Sequence, residues 1–217
     1  MANERVKLGL AALLGLAAFA GAGALAEKGP PPPSRPSWRV PAGNVHRGEA
    51  IAQTCLTCHG PDAPAARDLH PRPPKLYRQR ASYIFFVLRE YQQGVRHNDL
   101  MRGMAETLSE QDMRDVAAYF SQNFPDKPPR ARTDLPGYRI TSRECTWCHG
   151  ETGIGELEGT PVLTGQDPEY LAHALAAYRS GERTDPTMRA EAKRIAPADD
   201  AALATYFSAH EWLERGQ

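Results

Sequence analysis

The chain has 217 residues, with 26 Lys and Arg against 26 Asp and Glu, and four cysteines. A neutral balance gives no basic footprint of the kind a nucleic-acid partner requires, and the length suits one ordinary domain or two small ones. All four cysteines fall in two short motifs, so none is left over for a structural disulfide framework.

In chain order, Arg5 and Lys7 precede an apolar run from Leu8 to Ala26 that ends in Ala24-Leu25-Ala26. A positive start, an apolar centre and a small-residue end are the three regions of a secretory signal, expected over 1–26 with cleavage after Ala26. The rival reading is an uncleaved membrane anchor. The run is built largely of Ala and Gly, which insert weakly beside Leu or Ile, and this favours the cleaved signal. Residues 27–42 carry Pro30 to Pro33 and no hydrophobic period, and predict an extended tether of polyproline character.

A helix is then expected to run into Cys55-Leu-Thr-Cys-His59-Gly60. Cysteines at i and i+3 on one helical turn can reach the two vinyl carbons of a haem, and the next histidine points at its iron. This is the spacing of c-type haem attachment. A four-cysteine zinc site or a thioredoxin-like couple also uses Cys-x-x-Cys, but neither needs a histidine directly behind the second cysteine. A second helix is predicted over 81–93, with Tyr83, Ile84, Val87, Leu88 and Tyr91 on one face and a stop at Gly94. The last helix of this half opens on Ser109-Glu-Gln-Asp112, a capping-box pattern, and carries Met113, Val116, Ala117 and Phe120.

Four prolines and mixed charge between Phe124 and Tyr138 mark a linker at 125–136. Beyond it the pattern returns. Cys145-Thr-Trp-Cys-His149-Gly150 repeats the attachment motif. A helix follows with Asp167 as cap, Pro168 at its first position, a stripe of Tyr170, Leu171, Ala174, Leu175 and Tyr178, and Gly181 at its end. The final helix starts at Pro197 and carries Leu203, Tyr206 and Phe207.

Three segments align internally at one offset of 87 residues: Pro74–Gln79 with Pro161–Gln166, Tyr91–Arg96 with Tyr178–Arg183, and Val116–Ser121 with Leu203–Ser208. The cysteine motifs are 90 apart, so the difference falls in the loop after the first haem histidine, where insertions are tolerated most easily. The fold class expected is all-α, with two tandem domains of a few helices, 43–124 and 137–217, each built around a covalently bound haem.

A histidine-held haem has a sixth position to fill. Met101, Met104 and His97 are candidates in the first half, but only Met101 has a counterpart at the repeat offset, Met188, the sole methionine of the second half. A methionine is ordinarily a gap-filler in a core. These two lie on polar segments, expected as loops, five residues after the repeated Arg96 and Arg183. Thioether ligation favours ferrous iron and raises the potential relative to a second histidine. His46, His70, His173 and His210 have no repeated partners and are expected to be surface or structural. The carbonyls of Pro74 and Pro161 could accept hydrogen bonds from the far nitrogens of His59 and His149, fixing the rings. Tyr83 and Tyr170 could reach haem propionates with their hydroxyls, with plain packing as the competing reading.

On these residues the chain resembles the dihaem cytochromes c4 over nearly all of its length beyond the signal. The family pattern is met by His149, Pro161, Gln166, Tyr170, Gly181, Arg183, Met188 and Tyr206, while Tyr77-Arg78 replaces the usual Ala-Gly pair before Gln79. The resemblance implies two cytochrome c folds, two haem c groups and a periplasmic electron carrier, soluble or membrane-attached through a partner or the N-terminal segment. Its redox protein partners would be a quinol-oxidising complex or dehydrogenase as donor and a terminal oxidase as acceptor. The alternatives are a dihaem peroxidase, which needs an openable iron position, and a cytochrome subunit held permanently by a dehydrogenase. Charge adds one expectation: Arg67, Arg72, Lys75, Arg78 and Arg80 stand against Asp68 alone, whereas the chain from Asp134 onward holds eight basic and fourteen acidic residues. The basic stretch is expected to dock an acidic partner beside the first haem.

Overall fold

The computed structural model describes residues 42–60, 63, 66, 68–122, 128–155 and 157–210, without the side chains of 142–144. The expected signal at 1–26, the tether up to residue 41, Arg67 and part of the linker lie outside the described residues. The chain divides into two units, Met1–Pro36 and Ser37–Gln217, and every described residue belongs to the second.

The first half comprises α1 (Val45–His59), α2 (Ala81–Gln92), α3 (Asp99–Glu106) and α4 (Glu110–Phe120). The second comprises α5 (Tyr138–Glu144), α6 (Thr146–His149), α7 (Pro168–Ser180), α8 (Pro186–Arg194) and α9 (Asp200–Ser208). No strand occurs among the described residues. The expected caps are present: Ser109 and Asp112 form a reciprocal capping box on α4, and the Asp167 side chain accepts from the Tyr170 N–H with Pro168 behind it on α7.

Two expectations are corrected. Met101 and Met188 do not lie on loops but on α3 and α8, helices of only eight and nine residues rich in polar side chains, too short for periodicity to set them apart from a loop. The signal was in the caps, since Asn98 accepts from the Met101 N–H at 2.9 Å and Asp185 from the Met188 N–H at 2.8 Å. The entry helices also differ. α1 runs unbroken through Cys55 to His59, whereas in the second half Cys145, at φ −110° and ψ −32°, interrupts the helix between α5 and α6.

In the first half α1 packs on α4 and α4 on α2; in the second, α9 packs on both α5 and α7. Each half has its own core, Ile84, Phe85, Met113, Val116 and Phe120 in one and Leu171, Ala204, Tyr206 and Phe207 in the other. Each fully buried large side chain of this kind stabilises by about 1.5–3 kcal/mol. The same device sets the helix crossings. A Cβ on Gly48 would lie 2.0 Å from the Asp115 carbonyl oxygen, and one on Gly137 would lie 2.3 Å from that of Ala202, so glycine lets backbones meet at both places. Asp115 and Ala202 are one repeat apart.

The turns before α2 and α7 also match. The Arg78 N–H donates to the Phe120 carbonyl at 2.8 Å with φ 62°, and the Gly165 N–H donates to the Phe207 carbonyl at 2.9 Å with φ 65°. Glycine takes this left-handed conformation freely, while Arg78 takes it at a cost of roughly 1–2 kcal/mol.

Candidate haem sites

Helix geometry builds each attachment site. Cys55 and Cys58 stand three residues apart on the last turn of α1, with His59 closing it; Cys145, Cys148 and His149 stand likewise on and beside α6. None of the four cysteines is in a disulfide. Both histidine rings are anchored from behind, as expected: His59 Nδ1 lies 2.7 Å from the Pro74 carbonyl and His149 Nδ1 lies 3.1 Å from that of Pro161. A carbonyl can only accept, so Nδ1 carries the proton and Nε2 keeps its lone pair for a metal. Burial pushes both imidazoles below the ordinary histidine range, against the opposing effect of the proline carbonyl, and so favours the neutral form a metal needs. Burial also pushes the Cys55 thiol up.

Met101 and Met188 both occupy the third residue of their helix and are half-buried. Met104 lies one turn further along α3, where its counterpart on α8 is Glu191.

Tyr83 and Tyr170 come together with two arginines from both halves. Tyr170 Oη accepts from Arg96 Nη2 at 3.1 Å and from Arg183 Nη2 at 3.2 Å, and Tyr83 Oη accepts from Arg96 Nη1 at 3.3 Å. Burial alone would raise the Tyr170 phenol, but the guanidinium groups of Arg96 and Arg183 bring it below its usual value. The Arg96 guanidinium also lies over the Tyr91 ring, and that of Arg183 over Tyr170 and Tyr178. The repeated arginines, singled out in the sequence only as markers, are thus part of the join between the halves.

These residues fit a haem. Besides free thiols and unprotonated Nε2 atoms, the buried Nε atoms of Arg96 and Arg189 have no hydrogen-bond acceptor among the described residues, and a cofactor that brings carboxylates would supply one. An open cleft beside the second motif is lined by Thr146, Trp147, Gly150, Ile154 and Leu157, with polar and apolar surface in about equal parts.

Sequence reasoning gave Gln79 and Gln166 no role, although both were in the repeat. Gln79 Nε2 donates to the Val162 carbonyl at 3.0 Å while its Oε1 accepts from the Val162 N–H at 2.8 Å. Gln166 returns the contact, donating to the Lys75 carbonyl at 2.9 Å and accepting from the Lys75 N–H at 2.8 Å. Each glutamine therefore pairs with the backbone of the other half as a strand would. Their exposures of 6% and 7% make these dry bonds, more costly to break than surface ones.

The basic stretch also has partners within the chain. Lys75 Nζ donates to the Gly165 carbonyl at 2.7 Å, Arg80 Nη2 donates to the Gly155 carbonyl, and Arg72 approaches Asp167 at 4.0 Å. With His70 against Glu169 at 2.9 Å, this stretch meets the acidic second half of its own chain.

The cytochrome c family model matches residues 45–123. Cytochrome c4 of Pseudomonas aeruginosa is 32% identical over 179 residues, 76% of this chain and 88% of its own. The thiosulfate dehydrogenase electron acceptor of Stutzerimonas stutzeri is 33% identical over 183 residues, 76% of this chain and 83% of its own. The crystal structure of reduced recombinant cytochrome c4 from Pseudomonas stutzeri superposes with a TM-score of 0.65 at 30% identity, covering 78% of this chain and all of that one. Two haem c groups, one per Cys-x-x-Cys-His motif, follow from the motifs and these likenesses together. With duplicated helical halves, anchored histidines and full-length relatives in agreement, the chain belongs to the cytochrome c4 family of dihaem electron-transfer proteins.

Proposed function

We propose that the protein is exported to the periplasm, with 1–26 as its secretory signal, and carries electrons there between two protein partners. The haem groups, when bound, supply reversible one-electron storage. His59 with Met101, and His149 with Met188, are the residues that would hold the two irons. The duplicated arrangement supports this reading: each half holds a neutral, carbonyl-anchored histidine and a methionine third in a short capped helix. Two thioether-held irons favour the ferrous state and leave no open position for peroxide, which separates a carrier from a peroxidase. Electrons enter through one half, cross the polar join and leave through the other.

The donor is a quinol-oxidising complex or a dehydrogenase, and the acceptor a terminal oxidase. A relative that bears the name of an electron acceptor for thiosulfate dehydrogenase supports the dehydrogenase as donor. A redox titration of the purified holoprotein tests the ligation: two one-electron waves with the weak near-infrared band of methionine-ligated ferric haem are expected. A bis-histidine or high-spin spectrum would overturn it. Rapid mixing with a reduced dehydrogenase and cell fractionation test the donor and the compartment.

A further inference from the structure

The glutamine contacts and the histidine anchors meet on the same two peptide units. In the Pro74–Lys75 peptide the carbonyl takes the His59 ring nitrogen at 2.7 Å, and the N–H at its other end gives its proton to Gln166 Oε1 at 2.8 Å. In the Pro161–Val162 peptide the carbonyl takes His149 at 3.1 Å, and the N–H gives its proton to Gln79 Oε1 at 2.8 Å. Gln166 belongs to the second half and Gln79 to the first. The two amide oxygens are held in place locally, Gln79 Oε1 by the Arg80 N–H at 3.0 Å and Gln166 Oε1 by the Asp167 N–H at 2.9 Å.

A peptide group whose N–H is engaged by an acceptor is polarised, and its carbonyl becomes the stronger acceptor, since bonds in a chain reinforce each other away from water. A stronger pull on Nδ1–H makes the imidazole a more basic ligand. A more basic ligand favours ferric iron and lowers the potential.

We infer that Gln79 is a positioning and tuning residue for the haem of the second half, and Gln166 for the haem of the first, each acting through the peptide that anchors the other half's histidine. The inference rests on His59 and His149 being iron ligands. It assigns crosswise control: each half completes the hydrogen-bond chain behind the other's iron ligand.

The test uses the full-length holoprotein with Gln79→Leu and Gln166→Leu made separately. In the reduced, diamagnetic state the Nδ1–H proton resonances of His59 and His149 are followed by NMR, and each haem's potential is read at partial reduction. Gln79→Leu should move the His149 resonance upfield and make the second haem easier to reduce by roughly two- to threefold, or about 20–30 mV at 59 mV per tenfold, with His59 and its haem unmoved. Gln166→Leu should do the converse. A shift confined to the substituted half, equal shifts in both haems as a loosened join would give, or no shift, would overturn the inference. The two variants are independent, so if one does not fold the other decides. Wild-type histidine protons without ring-current displacement would instead overturn the iron ligation beneath it, a failure visible before any substitution is made.

Discussion

Met101 and Met188 enter their helices at the same position, their amides capped by Asn98 and Asp185, so the two sulfur atoms are delivered by the same local geometry. Met101→Ala and Met188→Ala should each convert one of the two haems to a high-spin or misligated form, whereas Met104→Ala, whose counterpart is Glu191, should leave both low-spin. Visible and near-infrared spectra of the three variants check this, and loss of the methionine band in Met104→Ala with retention in Met101→Ala would reverse the assignment. At this scale the sequence was informative wherever chemistry leaves a fixed spacing. The cysteines, the histidines and the proline carbonyls behind them were legible because each spacing follows from one helical turn or one tight loop. Gln79, Gln166, Arg96 and Arg183 were visible as repeats but silent as to role, since the glutamines and Arg96 reach into the opposite half, Arg183 joins them there through Tyr170, and side-chain contacts between distant segments leave no local pattern.

Among elements, the crossings at Gly48 and Gly137 leave no room for a side chain, because the nearest atoms are backbone carbonyls that cannot rotate away. Gly48→Ala and Gly137→Ala should each cost about 1–3 kcal/mol, read as a lowered denaturant midpoint with unchanged slope. A second test concerns His210, which is 1% exposed and ties the end of α9 to the linker at Arg132. Its Nε2 accepts from the Arg132 N–H at 3.1 Å and its Nδ1 donates to the Tyr206 carbonyl at 2.7 Å, an arrangement only the neutral ring can make. Burial, aided by Arg132, outweighs the Tyr206 carbonyl and holds His210 below the ordinary value of 6.5. The unfolded chain then takes up the proton first, so stability is present above about pH 6.5 and falls as pH drops towards the folded value, by at most about 1.4 kcal/mol per pH unit. Denaturation midpoints from pH 8 to 5 should show this fall in the wild type and a flatter profile in His210→Asn. The sequence assigned this histidine a structural or surface role but could not reveal its two partners, because one of them, Arg132, is 78 residues away.

For the whole molecule, the charge asymmetry is an internal matter before it concerns any partner. Arg72 and Lys75 lie against Asp167 and the Gly165 carbonyl, so Arg72→Glu with Lys75→Glu would place like charges across the join. The double variant should lose about 1 kcal/mol of stability at low ionic strength, with much of the loss recovered at 1 M salt, where charges are screened within about 3 Å. Denaturation curves at the two salt concentrations check it, and equal losses at both would show that packing, not charge, is responsible. The crossed glutamines carry a consequence for how such a chain could arise. A contact in which the same residue of each half grips the same peptide of the other is isologous, the self-complementary kind that relates the subunits of a two-fold dimer. A single half presents both the hand and the handle, Gln79 and the Lys75 peptide, so two separate copies could have clasped before one gene encoded both. Joining them made the association independent of concentration, and left each copy free to diverge, as Arg78 and Gly165 have, while the clasp itself stayed the same.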